Sequence, residues 1–565
     1  MNSFNFDLSY QPYDSNRFSI ISSNGMVASS NALASEAGLD MLKKGGNAID
    51  AAIATAAMLT IVEPTSNGIG GDLFAIVWYK NKLHGLNGSG YSPYSISREK
   101  LIESGYKKMP SRGWIPITVP GQPKAWASLN EKFANLSLLE NLLPAIKYAN
   151  EGYYLSPTVG YLWNKYFKKE IVKYKNNNIF NEWVKTFTNE GNAYNCGDKV
   201  ILKNHAKTLE LIGKSNAKEF YEGEIAEKIC MQSIRDGGYI RKEDLENYDV
   251  EWTEPISINY GGFDIWELPP NGQGLVTLES LNILKNFEIT NDSLSVHRQI
   301  EAIKKSFIDI KENITDPKKI TDGWKKLLDV DYGIKASKNI KVKANNNYDY
   351  DLLKDGTVYL CSADKDGNMV SLIQSNFRDF GSGIVIEDYG IAMQNRGYSF
   401  SLDKDDDINR LEAHKRPYHT LMPGFITKDG EGIGPFGVMG GYMQPQGHLQ
   451  VINNLINLKL NPQMALDSPR WQLKEENKIL LEPKFDKNIA KDLINRGHKV
   501  EYADNFYSFG RGQIILKDKR GFYIGGTESR TDSNILFYIL IENSKRKIFG
   551  HMMNLINLKL LGLLI

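Results

Sequence analysis

Gly356 and Thr357 stand where polar, aperiodic sequence gives way to a strand. Cutting the bond between them would leave Thr357 with a hydroxyl and a free α-amine on one residue. Such an amine, with an ordinary pKa of about 7.7–8.0, can serve as the base for its own hydroxyl nucleophile. Glycine before the threonine would ease self-cleavage, because no side chain shields its carbonyl and strained dihedrals are open to it. Threonine is also a common strand former, so the local sequence leaves a purely structural role open. Other suggestive motifs fall short. Asp364–Asn368 (DKDGN) starts like a calcium loop but runs into a strand, and reads as a hairpin turn. Ser66–Asp72 (SNGIGGD) lacks the Lys-Ser/Thr of a phosphate loop, and GPFGVMGG at 434–441 is not a dinucleotide fingerprint. No G-x-S-x-G elbow occurs. The eight histidines show no H-E-x-x-H spacing, so neither a metal site nor a cofactor is expected.

The elements that must position the threonine follow from pattern. Thr357–Ala363 and Met369–Ser375 flank an Asp-Gly turn and read as a β-hairpin. Residues 336–356 read as a linker. Residues 29–44 have the form of a helix capped by Ser30 and stopped by Gly45-Gly46, and Asn47 starts a second, alanine-rich helix ending before Glu63-Pro64. A glycine-rich turn then leads into the strand LFAIVWY and its partner. Residues 113–126 read as a strand entering a Gly/Pro loop and a helix, and 127–235 as mostly helical. Ile256–Tyr260 and Phe263–Glu267 read as strands, and 274–287, 296–314 and 451–459 as helices. A strand series runs through IVI, GIAMQNRG and PGFITK. The acidic run 403–407 reads as a solvated loop. The heptapeptide NLINLKL occurs at 454–460 and again at 554–560 with no physical reason behind it.

Composition narrows the class. At ~150 residues per domain, 565 residues would make about four domains. Lys+Arg 68 against Asp+Glu 67 argues against a sequence-blind nucleic-acid binder. Three scattered cysteines argue against a disulfide framework. The polar N-terminus shows no secretory pattern and no clean apolar span occurs, so a cytoplasmic protein is expected.

Longer blocks carry a family resemblance over about residues 25–534. They are GGNAIDAAIATAAMLTIVEPTSNGIGGDLF (45–74), VPGQPKAW (119–126), GGYIRKEDLENYDV (237–250), DGTVYLCSADKDGNMVS (355–371), FGSGIV (380–385), KRPYHTLMPGF (415–425), VMGGYMQPQ (438–446) and GGTESRTD (525–532). The chain resembles the γ-glutamyltransferases (glutathione hydrolases) of the N-terminal-nucleophile hydrolases, in a branch carrying QNRG and KRPYHT. The resemblance implies an α+β, four-layer αββα sandwich rather than four domains. It implies self-cleavage before Thr357 into a large subunit, 1–356, and a small subunit, 357–565, which stay together and interleave their strands. Thr357 would be the nucleophile, Ser375 the hydroxyl that orients it, and Gly440 and Gly441 the oxyanion donors. Small γ-glutamyl or acyl amides would be the substrates, with no nucleic acid; a homo-oligomer stays open.

Substrate positions depart from the family pattern. Ser89 or Gly90 stands where relatives have an arginine for the donor carboxylate, so that bidentate contact is lost. Arg396 and Ser399 replace the glutamine and acidic residue on the α-amine side. His419-Thr420 replaces a serine pair, and Phe377, with Asn376 beside it, replaces an asparagine. The expectation is a pocket that holds an acidic acyl group through Arg396 and depends less on a free α-amine; an ion pair internal to the fold is the other role open to Arg396. The stretch between Asn395 and Lys415 is short, which predicts a missing lid, an open site, and hydrolysis over transfer. The alternatives are an acylase of cephalosporin or glutaryl type and an uncleaved ligand-binding homologue. Residues 535–565 lie past the family's usual end and read as an added packing element, an assembly contact or a membrane-surface helix, the last disfavoured by the Asn and Lys that break the apolar run.

Overall fold

The computed structural model describes residues 17–346, 356–403 and 407–538. Two seven-stranded sheets form the centre. One runs in the order Ile20–Ser22, Tyr523–Thr527, Arg511–Lys517, Glu431–Met439, Gly424–Lys428, Phe263–Glu267, Ile256–Tyr260. The other runs Asn534–Phe537, Gly25–Ser29, Val358–Asp364, Met369–Ser375, Asp72–Tyr79, Lys82–Gly88, Glu251–Thr253. Each sheet therefore mixes strands from before and after Gly356.

Alternation along the second sheet assigns its faces. Phe74, Ile76, Trp78, Tyr359, Cys361 and Ile373 form a buried cluster with Leu421, Phe425, Met439 and Ile515 of the first sheet and its approach. Alternate residues on the same strands, including Leu73, Ala75, Val77, Leu360, Val370 and Leu372, pack with the helix Ala48–Val62. Every residue of that helix is buried, which explains its small side chains: Ala51 and Thr55 lie against Gly38 of the preceding helix, where a Cβ would fall 2.2 Å from Thr55 Oγ1. The first sheet packs its own outer face against the helices Gly274–Leu284, Ser293–Lys311 and Met443–Ile456.

Some expectations need correction. The first helix, Ala32–Lys43, is capped by Asn31, whose side chain accepts from Leu33 N–H; Ser30 Oγ donates to Glu63 instead. Residues 113–121 form no strand, since Pro116 and Pro120 cannot donate to a ladder. The last long helix starts at Met443, earlier than the periodicity suggests. Residues 338–346 are bound to the rest of the chain: Ala344 N–H donates to Arg496 O, Arg496 Nη1 to Val342 O and Asn346 Nδ2 to Gly497 O. Ile535 and its neighbours form the edge strand Asn534–Phe537 on Gly25–Ser29, so the added element starts later than 535. Residues 347–355, 404–406, 539–565 and the second NLINLKL lie outside the described residues.

Candidate active site

The hairpin aligns the chemistry. Val358 pairs with Gln374, so Thr357 falls opposite Ser375, and Ser375 pairs with Asp72 on the next strand. Leu73 pairs with Gly88, so Asp72 falls opposite Ser89. Directly opposed residues share a sheet face. Thr357, Ser375, Asp72 and Ser89 thus form one row across the ends of four strands, on the face toward the other sheet. All four are buried.

Ser375 Oγ is the hub. It donates to the Gly356 carbonyl at 2.6 Å, accepts from the Phe377 N–H at 2.7 Å, and lies 3.4 Å from the Thr357 hydroxyl, which points its proton at it. Phe377 reaches this position through a left-handed backbone (φ 74°), a conformation costly for a bulky residue. Gly356 N–H donates to Phe377 O at 2.9 Å, closing the turn. Asn376 is enclosed by the glycine-rich turn: a Cβ on Gly68 or Gly71 would lie 2.7 Å from its side chain.

Arg396 is buried one turn away. Its Nη1 donates to Thr420 Oγ1 at 2.8 Å, its Nε lies 3.9 Å from Asp72 Oδ2, and its guanidinium sits 4.0 Å above the Phe377 ring. His419 stacks on Phe74 and accepts from Leu421 N–H through Nδ1, so Nε2 carries the proton it donates to Asp72 Oδ2 at 3.0 Å. Burial, then the nearby Arg396 and Arg416, hold His419 well below the usual histidine range, so it is neutral. Burial pushes the Asp72 carboxyl up to about 7, against the pull of Arg396 and of the Gly121 and Gly90 N–H groups. Asp72 Oδ1 has no hydrogen-bond partner among the described residues. Asp72 places a carboxylate beside Arg396 from another element. The sequence reading passed over it inside SNGIGGD. A lone acid opening an apolar strand was the available signal, since a buried charge needs partners.

Ser399 ends the turn Arg396–Ser399, half-buried, with its carbonyl accepting from Asn409 Nδ2 at 2.6 Å. Ser89 Oγ donates to Asn87 Oδ1 at 2.7 Å within a cluster that includes Asn271. At Gly90 a Cβ would fall 1.7 Å from Val119 O, so no side chain fits there. Arg416 fills the neighbourhood, bonding Ser89 O at 3.2 Å and lying 4.4 Å above Tyr91. Gly440 (φ 128°) and Gly441 (φ 59°) form the turn from the strand Glu431–Met439 into the helix Met443–Ile456. Gln273, which the sequence did not single out, ties this turn to the His419–Thr420 segment. Its Nε2 donates to Gly441 O at 2.9 Å and Thr420 O at 2.6 Å.

The open site expected from the short 395–415 stretch is an expectation for the cut enzyme, whereas the chain described is uncut. Thr357, Ser375, Arg396, His419 and Thr420 are all buried while the Gly356–Thr357 bond stands, with the Gly356 carbonyl on Ser375. Among the described residues one group of side chains has metal-like spacing, His297, Glu301 and His498. Most of its atoms are already committed, with His498 Nδ1 buried without a hydrogen-bond partner among the described residues. His297 bonds His498 and Lys341 O, and Glu301 holds Lys304 and the Asn345 N–H. It clamps the 341–346 segment, away from the Thr357 row.

A family model described as gamma-glutamyltranspeptidase matches residues 34–538. The chain belongs to the γ-glutamyltranspeptidase family. Among curated relatives in this family, it is 34% identical over 527 residues to the glutathione hydrolase-like YwrD proenzyme of Bacillus subtilis, covering 91% of this chain and 98% of that one. It is 29% identical to the oxamate amidohydrolase proenzyme of Klebsiella pneumoniae, with the same coverage of each. Among solved structures, a cephalosporin acylase from Bacillus halodurans superposes with a TM-score of 0.91 at 48% identity, covering 95% of this chain and all of that one. γ-Glutamyltranspeptidase relatives thus carry several acyl specificities. No described helix is long and apolar enough to cross a membrane.

Proposed function

We propose that this protein is a self-processing amidohydrolase with Thr357 as its N-terminal nucleophile, built as a four-layer αββα sandwich from subunits 1–356 and 357–565. The observation that carries it is Ser375 Oγ holding both the scissile carbonyl and the attacking hydroxyl. In processing, Thr357 Oγ attacks the Gly356 carbonyl carbon, and charge gathers on the oxygen that Ser375 O–H already meets. The C–N bond breaks, the hydroxyl proton ends on the departing nitrogen, and an ester joins Gly356 to Thr357 Oγ. The α-amine is free once that bond has broken; water then hydrolyses the ester, releasing the Gly356 carboxylate and the Thr357 hydroxyl.

In turnover the same oxygen attacks a substrate amide. The α-amine takes its proton and passes it to the leaving amine. The Gly440 and Gly441 N–H groups, at the positive end of the Met443–Ile456 helix, would meet the oxyanion. Water then releases the acid. Arg396 beside Thr420 suits an acyl group that ends in a carboxylate. This favours γ-glutamyl amides, such as glutathione, and glutaryl amides alike. The acylase reading gains from the acylase structure at 48% identity, and from the absence of an arginine at positions 89 and 90 themselves, where Arg416 reaches in from another segment and is paired with Glu251.

A denaturing gel tests the proposal. The wild type should give pieces of 1–356 and 357–565, Thr357→Ala one band, and only the cut protein should hydrolyse γ-glutamyl or glutaryl p-nitroanilide. A wild type that stays whole after long incubation would remove Thr357 from the account.

A further inference from the structure

We propose that Asp72 is a specificity-determining residue of the acyl pocket: it receives the α-ammonium of a zwitterionic acyl donor whose carboxylate goes to Arg396. This rests on the amidohydrolase proposed above and names the charge pattern its acyl group must carry.

Reach supports it. Asp72 is two strands from Thr357 in one row, and two spacings of ~4.8 Å separate those columns by about 10 Å. From a reacting carbonyl carbon, a five-carbon acyl chain places a nitrogen on its α-carbon about 5 Å away. An attack distance of ~3 Å and a charge-assisted contact of ~2.8 Å complete the span. A two-carbon acyl group cannot bridge it. Charge supports it as well. Arg396 Nε and Asp72 Oδ2 lie 3.9 Å apart, close together like the two charges borne on one α-carbon. Asp72 Oδ2 is used by His419, whereas Oδ1 is buried with no hydrogen-bond partner among the described residues. The Gly121 and Gly90 N–H groups act on the carboxyl without closing a hydrogen bond to Oδ1, and an ammonium would supply the missing donor.

The charge on Asp72 then sets which donor fits. Ionised, Asp72 balances Arg396 and the pocket suits an ammonium beside a carboxylate. Protonated, it leaves Arg396 to attract a simple dicarboxylic monoamide such as a glutaryl compound. The carboxyl changes state near pH 7. The other groups around it hold one state through the working range: Arg396 and Arg416 are cations, His419 is neutral, and the Tyr221 and Tyr248 phenols are pushed well up by burial.

The test is the ratio of kcat/KM for γ-glutamyl over glutaryl p-nitroanilide between pH 5.5 and 8. The Thr357 amine affects both substrates and cancels in the ratio. In the wild type the ratio should rise about 10–30-fold with pH, following the ionised fraction of Asp72. In Asp72→Asn it should stay flat and favour the glutaryl compound throughout, with the two-band pattern confirming that the variant folds and processes. A wild-type ratio independent of pH, or an equal rise in Asp72→Asn, overturns the proposal. If the cut protein hydrolyses neither anilide, the proposed acyl class fails, and calorimetry with L-glutamate and glutarate still reads Asp72. A glutamate preference that grows with pH and vanishes in Asp72→Asn upholds it, and equal affinities overturn it.

Discussion

Ser375→Ala isolates the group on which the proposed self-cleavage turns. Its hydroxyl is the hydrogen-bond donor seen on the Gly356 carbonyl, at 2.6 Å, in line to meet the charge that forms there. Removing one preorganised donor from an oxyanion costs about 10²–10³ in rate, or about 3 kcal/mol. Processing should slow by that factor. The variant also leaves the Phe377 N–H without its acceptor, and a buried donor left unmade costs about 1–3 kcal/mol of stability. The two effects must be separated, so Ser375→Thr, which keeps a hydroxyl, is the control.

The assay follows newly synthesised chain on denaturing gels over hours, with a thermal melt of each variant. Ser375→Thr should process within about tenfold of wild type, and Ser375→Ala should persist as precursor while still melting cooperatively. Wild-type processing by Ser375→Ala would refute the role given to the Ser375 hydroxyl. Equal slowing of both variants would point to packing around the Phe377 turn instead.

Two further outcomes are expected. Gly440→Ala puts a Cβ where φ is 128° and 3.3 Å from Gly510 Cα, a strain of about 1–3 kcal/mol; kcat on the preferred anilide should fall about 10²-fold with KM little changed, and an unchanged kcat would remove this turn from the oxyanion site. His498, buried against His297, is held down to about 3 by burial and then by Lys304, while its unfolded value is about 6.5. The unfolded chain therefore binds its proton first, so this contribution to stability is complete above about pH 6.5 and drains away toward pH 3, by up to ~1.4 kcal/mol per pH unit. In His498→Asn the melting temperature should fall less steeply between pH 6.5 and 4, and an unaltered slope would count against a neutral histidine pair.

What the sequence made legible was whatever a short stretch decides by itself. The Asp-Gly turn fixed the hairpin from Val358 to Ser375, and with it the placing of Thr357 opposite Ser375. Asn47 announced its helix because its cap is local: its side chain accepts from Ile49 and Asp50, and Asp50 answers. Ser30 misled because Asn31 makes the same kind of cap one residue later. The Met443 start was hidden by Pro445 and Gly447, poor helix formers in a helix interior that are tolerated here within and just after the first turn. Four domains were expected from length alone, yet each sheet draws strands from both sides of Gly356, a long-range pairing that no window of sequence displays.

The acyl pocket was illegible for a deeper reason: its meaning is in pairs distant along the chain. Arg396 could be read as a carboxylate clamp or as half of an ion pair, and its own neighbours could not decide. The structure joins it to Thr420 from one segment and Asp72 from another, with His419 between. The arginine lost near Ser89 could not simply be restored there, because Gly90 admits no side chain and Arg416 already occupies that corner. Arg416 is paired there with Glu251, so in the proposed reading the positive charge for the acyl group comes from the Arg396 side of the row, and a buried guanidinium there requires a counter-charge. Asp72 supplies it from the same strand end that borders Ser375. The group that stabilises Arg396 before substrate arrives is thus, in the proposed reading, also the one that meets the substrate, and donor choice then turns on a single carboxylate absent from the motif arithmetic.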